Sequence, residues 1–196
     1  MDNHLSIKNI AIFASGAGSN MLNIARYFAG SPVIRVRLVV SSNPRAGVLA
    51  HAAECGIEAI VTSREELNDP HGLADILASR DIDYIVLAGW LWLLPAHIVE
   101  AYRGRIVNIH PSLLPAFGGR GMYGHHVHEA VIAAGCRRSG ITIHQVDEHY
   151  DNGSVIAQYE CEVTPEDTPQ SLEARIHRLE HEYYPPTIER FITGRS

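Results

Sequence analysis

The sequence is poor in several features that define other classes of protein. It has only three cysteines, Cys55, Cys136 and Cys161, and no Cys-x-x-Cys pair. This odd, widely spaced set argues against a disulfide framework or a cysteine-based zinc site and fits a reducing compartment, so we expect a cytoplasmic protein. No apolar run is long enough to span a bilayer, and residues 1–8 lack the charged-then-apolar order of a signal peptide. We therefore expect no association with membranes.

Positive charge is also scarce. The formal net charge is −6, which argues against a general surface for nucleic acid or anionic lipid. Internal repeats and low-complexity tracts are absent. The chain has 196 residues, of which 46% are hydrophobic, enough for one domain with a sizeable core.

Histidine, in contrast, is abundant, with twelve in the chain. His125, His126 and His128 lie close together, but no carboxylate or thiolate stands at a recognisable ligand spacing nearby, and His-Glu-x-x-His is absent. We interpret this segment as a loop that lines a pocket, and we expect no metal.

Short apolar runs alternate with segments of helical periodicity along the whole chain. The pattern predicts strands at 8–15, 33–41, 57–61, 83–89, 105–107, 139–147 and 154–163, and helices at 21–28, 46–54, 72–79, 95–102, 125–134 and 171–192. Such alternation indicates an α/β fold with a doubly wound, mostly parallel sheet in a single domain. The last two strands are joined too tightly for a helical crossover, so at least one should be antiparallel. Pro185 and Pro186 should break or bend the terminal helix.

The stretch from Asn108 to Pro115, Asn-Ile-His-Pro-Ser-Leu-Leu-Pro, directly follows the fifth predicted strand. Ligands of open α/β sheets bind at the carboxyl ends of the strands. Asn108 and His110 are two residues apart, so on a strand their side chains face the same way. Side-chain N–H donors that converge on one point suit a carbonyl oxygen that becomes negative during nucleophilic attack. The alternative is an ordinary strand end whose polar groups are satisfied by the backbone.

A second candidate site is the loop Gly16-Ala17-Gly18-Ser19-Asn20, between the first strand and the first helix. Strand, glycine loop and helix form a phosphate-binding arrangement, because the helix N-terminus offers free N–H groups. Ser19 or Asn20 is expected to cap the helix or to contact the anion. Neither Gly-x-Gly-x-x-Gly nor Gly-Lys-Ser/Thr is present, so a dinucleotide or nucleoside triphosphate has no support. A plain strand-to-helix turn is the alternative.

Two further segments have the character of pocket walls. Residues 90–94 are almost wholly apolar and follow the fourth predicted strand, so they either line a pocket for a flat ring or belong to the core. Residues 118–124 contain four glycines, which is typical of a loop that closes over a ligand.

Three motifs together resemble the phosphoribosylglycinamide formyltransferases, a family of folate-dependent formyltransferases. They are residues 15–20, residues 108–115, and Asp151-Asn152-Gly153, and the resemblance extends from about Lys8 into the terminal helix. It implies transfer of a formyl group from the co-substrate 10-formyltetrahydrofolate to the amine of glycinamide ribonucleotide during purine (IMP) biosynthesis. No metal and no covalent enzyme intermediate are required. The partners implied are small molecules only, with no nucleic acid and no membrane, and the chain would be a monomer or a homodimer.

The resemblance also assigns individual residues, with the ribonucleotide held mainly by the N-terminal half of a single domain, 1–196, and folate binding and catalysis in the C-terminal half. Its catalytic positions are Asn108, His110 and Asp151. Its ribonucleotide positions are Gly18, Ser19, Asn20, Glu180 and Arg64. Its folate positions are Trp90, Leu91, Trp92, Leu93, Leu94, Val146 and Asp147, and further pocket-lining positions are Thr142, His144 and His128. Ala17 and Trp92 depart from common members, which have Asn and Arg there.

Two other functions remain as alternatives at this stage. One is another enzyme of the same superfamily, such as a formyltetrahydrofolate deformylase or a methionyl-tRNA formyltransferase. Those enzymes carry a regulatory N-terminal domain or an additional C-terminal domain, neither of which is expected within these 196 residues. The other is a non-catalytic nucleotide-binding module, which would have no need of an Asn, a His and an Asp at one strand edge.

Overall fold

The computed structural model describes residues 7–194 and contains one seven-stranded sheet in the order β3-β2-β1-β4-β5-β6-β7. The elements in chain order are β1 (Lys8–Phe13), α1 (Ser19–Tyr27), β2 (Ile34–Ser41), α2 (Gly47–Glu54), β3 (Glu58–Val61), α3 (Arg64–Asn68), α4 (Leu73–Ser79), β4 (Tyr84–Leu87), α5 (Ala96–Ala101), β5 (Ile106–His110), α6 (His125–Ala133), β6 (Arg138–Gln145), β7 (Val155–Glu162) and α7 (Pro169–Thr193). The predicted α/β class and the predicted succession of seven strands along the chain are confirmed.

Strands β1 to β5 are all parallel, whereas β6 pairs antiparallel with both β5 and β7. The predicted antiparallel end of the sheet is therefore also confirmed. The strand order reverses between β1 and β4, so the loops that leave these two strands diverge and open a crevice at the sheet edge.

Helices cover both faces of the sheet, as parallel strands require. One buried cluster joins the sheet to α1, α2, α6 and α7 and includes Met21, Val48, Val127 and Ile176. The other joins the opposite face to α3, α4 and α5 and includes Leu67, Leu77 and Ile98. The site described below lies at the edge where these two layers end.

The terminal helix α7 runs unbroken through Pro185 and Pro186, so the predicted break is wrong. Proline lacks the N–H that a helix needs at each position. The carbonyl of His181, four residues before Pro185, instead accepts a hydrogen bond from Asn23 Nδ2 on α1 at 2.8 Å. Next to the prolines, the fully buried Tyr184 donates its hydroxyl to the carbonyl oxygen of Leu87 at 2.8 Å. Contacts with the rest of the fold thus support the helix where its own ladder fails.

Within residues 7–194 there is no helix with both the length and the apolar character needed to cross a membrane. The three cysteines are all free thiols.

Candidate active site

A cavity of about 520 Å³ opens at the crevice between the loops that follow β1 and β4, a size typical of small-molecule sites. It is lined by residues from the 16–20 loop, the 87–94 segment, the end of β5, the 119–124 loop and the 144–151 segment. Helices α6 and α7 supply the remaining wall, with His128 from α6 and Glu173, His177 and Glu180 from α7.

The predicted catalytic residues converge on this cavity. Asn108 and His110 lie on β5, and Asp151 lies in the connection between β6 and β7. His110 Nδ1 is 3.4 Å from Asp151 Oδ1. The other ring nitrogen, Nε2, donates to the carbonyl oxygen of Phe117 at 2.8 Å. Both ring nitrogens therefore face oxygen acceptors, and each is placed to donate a hydrogen bond.

Asp151 is held as an anion. Burial raises the pKa of its carboxyl, but the hydrogen bond of His110 and the backbone N–H of Gly119 outweigh burial and hold the pKa well below its usual range. The Gly119 N–H donates to Oδ2 at 2.9 Å. Asp151 has φ of +52°, a left-handed conformation that Asp and Asn adopt more readily than most residues. The turn that contains Asp-Asn-Gly therefore aims the carboxylate at β5.

His144 contacts Asn108, a predicted catalytic residue, directly. It lies on β6 opposite Asn108 in the strand register, is 1% exposed, and its Nε2 is 3.1 Å from Asn108 Nδ2. The sequence predicts His144 only as a pocket-lining residue. Its pairing with Asn108 depends on the antiparallel register of β5 and β6, which the sequence does not give.

The loop after β1 differs in one respect from its prediction. The N-cap of α1 is Gly18, with φ of +86°, and no side chain caps the helix. Ser19 and Asn20 are the first two helical residues, so neither caps α1, and their predicted contact with an anion stays a prediction. Their loop still lines the cavity with the N-terminus of α1, where uncapped N–H groups attract anions.

Asn20 is directed across the cavity to α7. Its Nδ2 donates to Glu180 Oε2 at 2.9 Å. Glu180 is 6% exposed, and this burial raises the pKa of its carboxyl, against the opposing effect of the Asn20 hydrogen bond. The two predicted ribonucleotide residues, Asn20 and Glu180, therefore form one polar patch.

The apolar 90–94 segment was interpreted either as a pocket wall or as part of the core, and each interpretation holds for different residues. Leu91 and Leu93 are 46% and 42% exposed on the cavity wall, whereas Leu94 is only 3% exposed and packs in the core. The rings of Trp90 and Trp92 are held edge to face, with centroids 5.6 Å apart. The rigid exposed surface of this segment is suited to a flat ring.

Three predicted site residues lie outside the cavity lining. Arg64, at the start of α3, places its guanidinium 4.8 Å from the centre of the Trp92 ring. The Thr142 hydroxyl donates to the carbonyl oxygen of Ser112 at 2.7 Å. Asp147 accepts hydrogen bonds from His149 N–H and Asn152 Nδ2, both at 2.8 Å. The last two contacts stabilise the loops beside the cavity.

Glu173 and His177 line the cavity but were not predicted. The signal was their spacing: Glu173, His177 and Glu180 follow one another at intervals of four and three residues, which places them on one face of a helix. That spacing becomes informative only when Glu180 is known to face the site.

His128 is 1% exposed, and burial lowers its pKa to about 4, so it is neutral near pH 7. Its neighbour His125 contacts Glu173 at 3.2 Å. Among residues 7–194 there is no group of three or more His, Cys, Asp or Glu side chains arranged to hold a metal ion.

Comparison with known proteins agrees with this geometry. The formyl transferase family matches residues 8–188. The chain is 42% identical over 188 residues to the phosphoribosylglycinamide formyltransferase, chloroplastic, of Vigna unguiculata, and this match covers 93% of the chain and 60% of the relative. It is 35% identical to the Bacillus subtilis phosphoribosylglycinamide formyltransferase, with 95% of each chain covered.

A solved structure has the same fold. The phosphoribosylglycinamide formyltransferase of Anaplasma phagocytophilum superimposes with a TM-score of 0.87 at 33% identity, and the match covers 96% of this chain and 89% of that one. The chain thus spans less than two thirds of the length of the Vigna unguiculata relative but most of the length of the two bacterial proteins. The family match, the sheet and the placement of Asn108, His110 and Asp151 lead to one conclusion: this chain belongs to the formyl transferase family.

Proposed function

We propose that this chain transfers the formyl group of 10-formyltetrahydrofolate to the amine of glycinamide ribonucleotide. The observation that carries the proposal is the convergence of Asn108, His110 and Asp151 in a cavity that has the uncapped N-terminus of α1 on one side and an apolar wall on the other. The names of the relatives support the same reaction. The chain would act in purine nucleotide synthesis, and its free thiols favour a cytoplasmic location.

The reaction requires a developing negative charge on the formyl oxygen to be stabilised and a proton to be removed from the attacking nitrogen. The amine attacks the formyl carbon, and the carbonyl oxygen becomes an oxyanion that the Asn108 amide and the His110 imidazole stabilise. Asp151 is 3.4 Å from His110; it keeps the imidazole protonated and accepts the proton that the attacking nitrogen loses. The carbon–nitrogen bond to the folate then breaks, and the departing nitrogen takes the proton that Asp151 accepted. The products are the formylated amine and tetrahydrofolate.

The two substrates would occupy opposite sides of the cavity. The phosphate of the ribonucleotide would lie at the N-terminus of α1, beside Asn20 and Glu180, and the pteridine ring would lie on the wall formed by Leu91, Leu93 and Val146. Arg64 stacks on Trp92 at the folate side. Its placement favours an anionic group of the folate over the ribonucleotide, to which the family resemblance assigns this residue.

Purified protein should convert 10-formyltetrahydrofolate to tetrahydrofolate only when glycinamide ribonucleotide is present, with one formylated ribonucleotide formed per folate consumed. Release of formate without the ribonucleotide would identify a deformylase instead. Binding of both compounds with no turnover would indicate a nucleotide-binding module. The two alternatives are thus separated by measuring formate and the formylated product in the same reaction.

A further inference from the structure

The Asn108 amide can stabilise an oxyanion only if it presents an N–H, and not its oxygen, to the reacting group. His144 is placed to decide this orientation. Its Nδ1 is 2.7 Å from the carbonyl oxygen of Gln145. Because a carbonyl oxygen only accepts hydrogen bonds, Nδ1 carries a proton, and Nε2, which faces the amide nitrogen of Asn108, is left with a free lone pair.

This bare Nε2 faces Asn108 Nδ2 at 3.1 Å and accepts one of its two N–H bonds. The reversed amide would instead bring two acceptors, Asn108 Oδ1 and His144 Nε2, against each other. The ring of His144 is buried and lies in register with Asn108 on the neighbouring strand. Rotation of the ring away from this contact would therefore leave the buried ring nitrogen and the half-buried Asn108 amide without this partner.

Asp151 is the other group within reach of His144 Nε2. Its Oδ1 is 3.7 Å away, beyond ordinary hydrogen-bond length, whereas the distance to Asn108 is within it. The geometry thus pairs His144 with Asn108, and Asp151 with His110.

We propose that His144 is a positioning residue: its Nδ1-protonated tautomer, set by the Gln145 carbonyl, holds the Asn108 amide with an N–H available to the oxyanion. This rests on the proposed function, which assigns the oxyanion to Asn108. The role is distinct from lining the cavity, because it acts entirely through the orientation of another side chain.

A double-mutant cycle tests the proposal by measuring kcat for formyl transfer. His144→Phe keeps a ring of similar size without nitrogen atoms, and it should lower kcat about tenfold, the value of one neutral hydrogen bond, with both KM values within about twofold of wild type. Asn108→Ala should lower kcat by roughly 10²–10³. When Asn108 is already absent, His144→Phe should have no further effect, because its partner is gone. Losses that multiply in the double variant would overturn the proposal.

The matched control is His97→Phe, because His97 is a partly buried histidine on α5 outside the cavity lining; this variant should keep the wild-type kcat. Nitrogen-15 NMR of the wild-type protein gives a second measurement that needs neither a variant nor turnover. The His144 ring should show a protonated Nδ1 and a bare Nε2. The opposite tautomer would refute the positioning role, whereas a wild-type protein without formyl transfer would refute the proposed function and leave the tautomer result standing.

Discussion

Asp151→Asn is the substitution that examines the proposed mechanism most directly. It keeps the shape of the side chain and the left-handed backbone, since asparagine also adopts positive φ. It removes the negative charge and the basicity beside His110. The fold should therefore survive while the catalytic pair is lost.

The size of the expected effect follows from the distance between the two side chains. At 3.4 Å and an effective dielectric constant of about 20, opposite unit charges attract by about 5 kcal/mol, which corresponds to between 10³ and 10⁴ in rate. Because an amide keeps part of the hydrogen bonding, this is an upper limit. General acid–base catalysis is typically worth about 10²–10⁴. We therefore expect kcat to fall by about 10²–10⁴, with little change in the affinity for either substrate.

The assay is steady-state formyl transfer, with calorimetric titration of each substrate and a thermal unfolding curve for each protein. Glu148→Gln is the matched control, because it removes one negative charge from an exposed position of the same loop. It should be close to wild type in kcat. If folded Asp151→Asn kept the wild-type kcat, Asp151 would only stabilise its turn, as an asparagine does almost as well, and the proposed proton transfer would be refuted.

Three further predictions concern packing, substrate binding and pH. Gly18→Ala should destabilise the fold by about 2 kcal/mol or more, because its Cβ would lie 2.6 Å from the Cα of Val48 and φ is +86°. Urea denaturation should detect this loss. The control Gly16→Ala, whose Cβ meets nothing within 4 Å, should remain near the wild-type stability. Leu94→Ala should cost about 2–5 kcal/mol of unfolding free energy, whereas Leu91→Ala should leave stability within about 0.5 kcal/mol and raise the KM for the folate; equal effects of the two variants on stability would contradict the division of this segment into core and wall. The pKa of buried His128 is about 4, below its ordinary value of 6.5, so the unfolded chain binds the proton more tightly than the folded one. The contribution of His128 to the free energy of unfolding is therefore constant above pH 6.5, and about 3 kcal/mol of it is lost as the pH falls to 4. Denaturation curves of His128→Leu at pH 7 and 4.5 should show a smaller loss than wild type, and an identical loss would remove His128 as its cause.

The elements of the fold were predictable because their signals are local. Alternating apolar runs and helical periodicity predict all seven strands, and the short connection between β6 and β7 predicts their antiparallel pairing. The shared face of Asn108 and His110 follows from strand geometry alone. These properties need no knowledge of what packs against each element.

Features that depend on partners distant in sequence were not predictable. The continuity of α7 through two prolines depends on Asn23, which supplies a donor to the His181 carbonyl. The division between Leu91 and Leu94 depends on which side of the segment meets α5 and the sheet. The pairing of His144 with Asn108 depends on the strand register. The roles of Arg64, Thr142 and Asp147 in binding stay untested predictions, although all three lie outside the cavity lining.

The polar patch of Asn20 and Glu180 joins residues 160 positions apart in the chain. A ligand that binds there requires both α1 and α7 in place, and so it binds the folded chain and not the unfolded one. By mass action, a ligand at about 100 times its Kd adds about 2.7 kcal/mol to stability. Cellular proteases remove proteins in proportion to their unfolded population. The abundance of this protein in a cell is therefore expected to rise and fall with the supply of that ligand, even when its synthesis is constant.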